Sequence, residues 1–204
     1  MADVKIAPEP RQAGFMGWQT RDFIVAAALA VPLGIIWSYG WGFVWRAARG
    51  VMPELGSFAD GFYVVAAVLV GYIIRKPGAA LLGEMIAAAL EIPLTPLGAI
   101  VLWLGLLQGL GVEAVFAATR YRVWSLPVVL LAGALGAGLV FGGYDYVAYG
   151  YSQLAVGIQG LRLVLKLLGG AILAGLIGKL IADGLVETGV LNNFAVARGR
   201  VREI

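Results

Sequence analysis

The chain contains no cysteine and no histidine. Without thiolate or imidazole it cannot form disulfides, ligate haem, hold iron–sulfur clusters or the usual zinc sites, or run Ser-His or Cys-His nucleophilic chemistry. Charge is scarce as well. Only 13% of the 204 residues are Asp, Glu, Lys or Arg, against the ~25% usual in soluble domains. The formal net charge of +3 is small, so neither a basic face for nucleic acid nor the composition of a disordered chain is present. Apolar residues, by contrast, make up 61% of the chain, and glycine numbers 30. That balance excludes an ordinary soluble enzyme.

A membrane span needs about 20 mostly apolar residues. Six segments are candidates: residues 23–45, 58–74, 78–92, 97–119, 124–144 and 163–182. The third is short, which leaves a re-entrant segment open there. Apolar–polar alternation is absent, and open strands cannot cross lipid. The expectation is therefore an all-α integral membrane protein, a six-transmembrane-helix bundle.

Basic residues set the orientation. With the N-terminus inside, Lys5, Arg11, Arg21, Arg75, Lys76, Arg120, Arg122, Lys179, Arg198, Arg200 and Arg202 are cytoplasmic. Arg46, Arg49, Arg162 and Lys166 lie at or near the outer ends. Eleven of the 15 basic residues thus fall inside, which predicts cytoplasmic N- and C-termini and an even number of spans. The expected organisation is a cytoplasmic N-terminal tail at 1–20, a membrane domain at 21–187 and a cytoplasmic C-terminal tail at 188–204. Asp3 and Glu9 dilute the basic N-terminal region and no small-residue cleavage site follows, so a cleavable signal is not expected. The run Gly175-Leu176-Ile177-Gly178-Lys179-Leu180 resembles the end of a phosphate loop. It has Leu180 where Ser or Thr must hold magnesium, and it lies inside a span. The chain is expected to hydrolyse no nucleotide itself.

Ionisable residues inside a membrane cost at least ~2.5–3.5 kcal/mol each and mark function. Glu84 and Glu91 lie seven residues apart on the third segment, about 20° off one helical face. No basic residue lies at their depth to neutralise them, so a cationic guest or a protonated state is the expected partner. Gln108 and Glu113 lie on the fourth segment, about 140° apart. Asp145 ends the fifth. Asp60 opens the second, where it would satisfy a helix dipole or pair with Arg46, Arg49, Arg162 or Lys166. Aromatics gather at the outer side: Trp37, Tyr39, Trp41 and Trp45, then Trp103, then Tyr144, Tyr146, Tyr149 and Tyr151. They read either as an interfacial belt or as stacking faces above membrane carboxylates, which suit a flat organic cation. Small-residue pairs at Gly105/Gly109, Gly138/Gly142 and Ala26/Ala30 predict close helix approach. By spacing alone the alanine pair favours internal packing over the docking of another subunit.

Arg75-Lys76-Pro77-Gly78-Ala79-Ala80, Glu84 and Glu91, Gln108-Gly109-Leu110-Gly111 with Glu113, and Tyr144-Asp145-Tyr146 occur in that order. Together they resemble the YkoE family over about residues 20–190. That family comprises substrate-binding (S) components of energy-coupling-factor (ECF) vitamin transporters of the prokaryotic plasma membrane. The resemblance implies six helices with both termini cytoplasmic. It implies capture of thiamine or its hydroxymethylpyrimidine precursor from outside, without cofactor or metal. It also implies docking on a transmembrane coupling subunit served by two ATPase subunits, so the chain itself is no enzyme. Under this resemblance Ala26 and Ala30 become the docking face, and bulk there should block assembly while sparing binding. Glu84 and Glu91 would supply charge and pyrimidine hydrogen bonds, and Gln108 would orient the ring. Trp37, Trp41, Trp103 and Tyr144 would stack, and Asp145 and Glu113 complete the expected set. The alternative is a stand-alone cation- or proton-coupled carrier, because intramembrane carboxylates also serve proton relays.

Overall fold

A computed structural model describes residues 17–198. Residues 1–16 and 199–204 of the expected tails, with Lys5, Arg11, Arg200 and Arg202, lie outside the described residues. Every regular element among the described residues is helical. The main helices are α1 (Thr20–Val51), α2 (Leu55–Ile74), α3 (Ala79–Glu91), α4 (Ile100–Ala118), α5 (Leu126–Ala148) and α6 (Val156–Glu187), followed by the short α7 (Ala195–Arg198). All but α3 and α7 are long and apolar enough to cross a membrane. At 13 residues, α3 rises only about 20 Å against a hydrocarbon core of about 30 Å. The turn-rich segment 92–99 follows it before α4 starts.

Two helices outrun their apolar stretches. On α1, Arg46 lies over the Phe43 ring at 4.7 Å and Arg49 over the Trp45 ring at 4.5 Å. The long stems pack on aromatic faces, and the helix continues to Val51. On α6 the helix begins at Val156 rather than near 163, and this brings Arg162 and Lys166 inside it and buries both.

Successive segments run in alternating directions, as the contacts at their ends show. At one end, here the basic end, Lys76 donates to Asp22 at 2.5 Å and to the Gly17 carbonyl at 2.6 Å. Trp18 donates to the Pro77 carbonyl at 3.2 Å. Arg75 is sandwiched between Tyr72 and Trp124, 5.0 and 5.1 Å from the ring centres. Lys179 lies 5.3 Å from the Tyr72 ring centre and pairs with Asp183. The starts of α1, α3 and α5 and the ends of α2, α4 and α6 therefore meet there. The opposite end carries Trp45, Asp60, Tyr144, Asp145 and Lys166.

The second half of α2 is the axis of the bundle. Val65–Ile74 is apolar throughout and all ten residues are buried, the pattern of a helix enclosed on every side. The first half of α1 packs on α3 and on this stretch. Ala26 and Ala30 are fully buried there. Gly34, one turn on, faces the Ala87 carbonyl so closely that a Cβ would come within 2.8 Å of it. Ala26 and Ala30, which the resemblance made a docking face, are thus inside the bundle, where their small size lets α1 close on its neighbours. Gly105 and Gly109 likewise let α4 close on α3, whereas Gly142 faces open space. The tightest approach joins α2 to α6, where a Cβ on Gly61 would lie 2.0 Å from the Gly169 carbonyl carbon.

The chain after α6 also departs from expectation. Leu191, Phe194, Val196 and Ala197 are buried, and Arg21 of α1 lies 5.7 Å from the Phe194 ring centre. Part of the expected tail from 188 is thus folded onto the basic end, because its apolar residues have core to join.

Two substitutions test this packing by thermal unfolding of the detergent-purified protein. Gly61→Val should destabilise by about 2–3 kcal/mol or more, since backbone sits where the side chain must go. Ala26→Trp should destabilise the bundle itself. Melting at the wild-type temperature by either variant would contradict these contacts.

Candidate functional site

A cavity of about 300 Å³ opens at the end opposite the basic loops. It lies among α1, α2, the end of α3, α4, α5, α6 and the segment 92–99. Two helices widen into π-helical turns beside it, at Ile36–Trp41 of α1 and Phe141–Asp145 of α5. Such turns are rare and cluster at functional sites, since the extra residue per turn re-aims side chains. On α1 the Ser38 hydroxyl donates to the Gly34 carbonyl at 2.9 Å, and Trp37 turns inward to become buried. On α5 the same widening sets both Tyr144 and Asp145 on the cavity wall.

The walls are largely aromatic. Trp37 meets Tyr63 edge to face at 5.8 Å between ring centres, and Tyr144 meets Tyr149 in the same way at 5.4 Å. All four rings line the cavity. The buried Trp37 indole N–H finds no acceptor among the described residues. Buried donors normally find partners, so an acceptor inside the cavity would satisfy it. Gln108 contributes a buried amide to the same wall.

The charges are arranged in two ways. Lys166, 2% exposed, bridges two carboxylates. It donates to Asp60 at 3.1 Å and to Asp145. Trp45 donates its indole N–H to the other Asp60 oxygen at 2.7 Å. One turn before Lys166 on α6, Arg162 pairs with Glu54 at 3.2 Å and covers the Tyr151 ring at 4.5 Å. Buried charges survive in a low-dielectric interior only when paired and hydrogen-bonded, and these are. Glu91 differs. It lines the cavity, its backbone carbonyl accepts from Leu94 and Thr95, and its carboxylate makes no hydrogen bond or ion pair within the described residues.

The expected site residues therefore divide. Trp37, Glu91, Gln108, Tyr144 and Asp145 come together on one cavity wall system. Glu84, Trp41, Trp103 and Glu113 are not on it. Glu84 is fully buried between α2 and α4, accepting the Ala67 amide at 2.8 Å, with its other oxygen unpartnered. Trp41 stacks on Phe62 at 4.1 Å and donates to the Ala59 carbonyl. Trp103 is half exposed and donates to the Gly143 carbonyl at 3.3 Å.

Glu113, expected among the substrate-binding residues, lies at the basic end, away from the cavity. Its carboxylate accepts the amides of Gly78, Ala80 and Leu81 at 2.7, 3.1 and 3.4 Å, and the Tyr121 hydroxyl at 2.6 Å. It thus satisfies the orphan donors at the start of α3, where a negative charge also complements the helix dipole. Burial and the Glu113 carboxylate push the Tyr121 phenol above its ordinary range, so the hydroxyl remains a donor.

Lys166, Arg46, Tyr63, Trp45 and Tyr149 line the cavity without having been assigned to it from sequence. One signal was available. Arg162 and Lys166 are four residues apart, hence on one helical face, in a stretch otherwise apolar enough to span.

Glu113→Ala should destabilise the protein by about 1–3 kcal/mol, read by thermal unfolding, because three amides and a phenol lose their acceptor. A melting temperature equal to wild type would contradict the cap.

A family described as "ABC-type cobalt transport system, permease component" matches residues 21–140. The "Putative HMP/thiamine permease protein YkoE" of Bacillus subtilis (strain 168) is 37% identical over 182 residues, 89% of this chain and 91% of that protein. A solved structure described as "Crystal structure of an S-component of ECF transporter" superposes with a TM-score of 0.85 at 36% identity, covering 91% of this chain and 94% of that one. Agreement in sequence and fold along nearly the whole of both relatives leaves one assignment: the chain belongs to the YkoE family of ECF-transporter S components, multi-pass proteins of the prokaryotic plasma membrane.

Proposed function

We propose that the cavity binds thiamine or its hydroxymethylpyrimidine precursor from outside the cell. In this reading the basic end faces the cytoplasm, in keeping with the positive-inside bias, and the cavity opens outward. The observation that carries the reading is Glu91, a carboxylate without an ion pair among aromatic walls, in a relative of a putative HMP/thiamine permease.

Thiamine joins a thiazolium cation to a flat aminopyrimidine. Trp37 with Tyr63 and Tyr144 with Tyr149 offer ring faces and edges for both rings. The Gln108 amide carries a donor and an acceptor side by side, the complement of an aminopyrimidine edge. The Trp37 N–H suits a ring nitrogen. Glu91 supplies the charge the cation needs. Asp145 acts from the wall through Lys166 rather than as a free acceptor. The hydroxymethylpyrimidine would use the same polar groups without the cationic contact.

Uptake against a concentration gradient needs an energy source. In this reading the loaded S component docks on a transmembrane coupling subunit driven by two ATPase subunits, and the buried Ala26/Ala30 pair takes no part in that contact.

Glu91→Gln should weaken thiamine binding more than tenfold, or about 1.4 kcal/mol, measured by calorimetry on the detergent-purified protein. Binding of the uncharged pyrimidine should change less. Unchanged thiamine affinity in a folded Glu91→Gln sample would remove Glu91 from the site. Nucleotide-free uptake by the chain alone in liposomes would replace the S-component mechanism with that of a stand-alone carrier.

A further inference from the structure

We infer that Lys166 sets the charge of ligand that the cavity accepts, by cancelling one of the two aspartate charges beside it and so holding the site at one net negative charge. The inference rests on the proposed binding of thiamine or its pyrimidine precursor in this cavity, and it assigns a role to a residue that need not touch the ligand.

Five charged side chains line the cavity: Arg46, Asp60, Glu91, Asp145 and Lys166. Three carboxylates against two cations leave one negative charge. Arg46 and Glu91 come from helices α1 and α3, and among the described residues no ion pair joins them. The remaining three form a fixed unit. Lys166 is 2% exposed and Asp145 2% exposed, and the lysine donates to both aspartates. The Trp45 indole holds the second Asp60 oxygen, so the triad cannot rearrange freely around a ligand.

Two aspartates without the lysine would bring two more negative charges, or a shared proton, into the wall. With the lysine they present one. The interior screens little, so that charge is felt across the cavity. A site of this kind favours a monocation over a neutral ring of similar shape. The two proposed ligands differ in that respect, since thiamine is a cation and hydroxymethylpyrimidine is neutral. Lys166 is thus a specificity-setting residue, acting through Asp60 and Asp145.

The test is a rescue experiment on the ratio of thiamine to hydroxymethylpyrimidine affinity, measured by calorimetry on folded, detergent-purified protein. Asp145→Asn removes one negative charge and should lower the ratio about tenfold. Adding Lys166→Met to it removes the matching positive charge and should return the ratio towards the wild-type value, whatever the absolute affinities. Asp60→Asn, alone and with Lys166→Met, is a parallel pair for use if Asp145→Asn does not fold. A ratio that tracks net charge through these variants supports the inference. A double variant that keeps the lowered ratio overturns it, because a merely structural lysine would give no rescue. Wild-type protein that binds neither ligand overturns the proposed function and this inference together. Wild-type binding with no rescue overturns the inference alone.

Discussion

Every charge inside this bundle must be neutralised in a medium that solvates it poorly, and most of the structure at both ends follows from how that is done. Lys166 is the clearest case. An ammonium buried at the level of a ligand cavity is tolerable only between carboxylates, and Asp60 from α2 and Asp145 from α5 are drawn to it. Three helices are thereby pinned around one side of the cavity. Arg162 with Glu54 repeats the device one turn away. At the basic end Lys76 with Asp22, and Glu113 with the amides of α3, do the same work for the loops. Among the acidic side chains described, Glu91 alone faces the cavity without a bonded partner. In the proposed function a ligand's positive charge is the counterpart of that carboxylate.

Glycine supplies the other condition. Charged pairs buried near the helix ends need helices that approach closely, and the Gly61 contact with Gly169 brings α2 against α6 just beside Lys166. Asp60, the residue before Gly61, is carried to the lysine by that approach. The π-helical turns at Ile36–Trp41 and Phe141–Asp145 then re-aim Trp37, Tyr144 and Asp145 into the space the helices leave. Packing, backbone irregularity and charge pairing act on the same small region.

Much of the fold was legible in the residues. The apolar runs located the segments, and the short third run became a 13-residue helix. Of the aromatics gathered at one end, Trp37, Trp45, Tyr144 and Tyr149 line the cavity, whereas Trp41 and Trp103 do not. Facing was harder to read. Glu84 and Glu91 share a helical face, yet one is sealed against Ala67 and the other lines the cavity. The difference lies in neighbouring helices, which one helix's periodicity cannot show. The position of Glu113 is hard to read for the same reason: its partners are backbone amides 32–35 residues away, and amides leave no trace in composition. Ala26 and Ala30 carry a small-residue spacing that suits either internal packing or docking, and only the position of α3 decides. Lys166 was legible as one of four possible partners for Asp60, but not as the one cation that joins Asp60 and Asp145, 106 and 21 residues distant.

The most direct measurement is calorimetric titration of the folded, detergent-purified wild-type chain with thiamine, hydroxymethylpyrimidine and riboflavin. Submicromolar binding of thiamine or of the pyrimidine, with no binding of riboflavin, is the expected result. A folded sample that binds none of the three would contradict the assignment of the cavity to this vitamin and its precursor, while leaving the family and the fold in place.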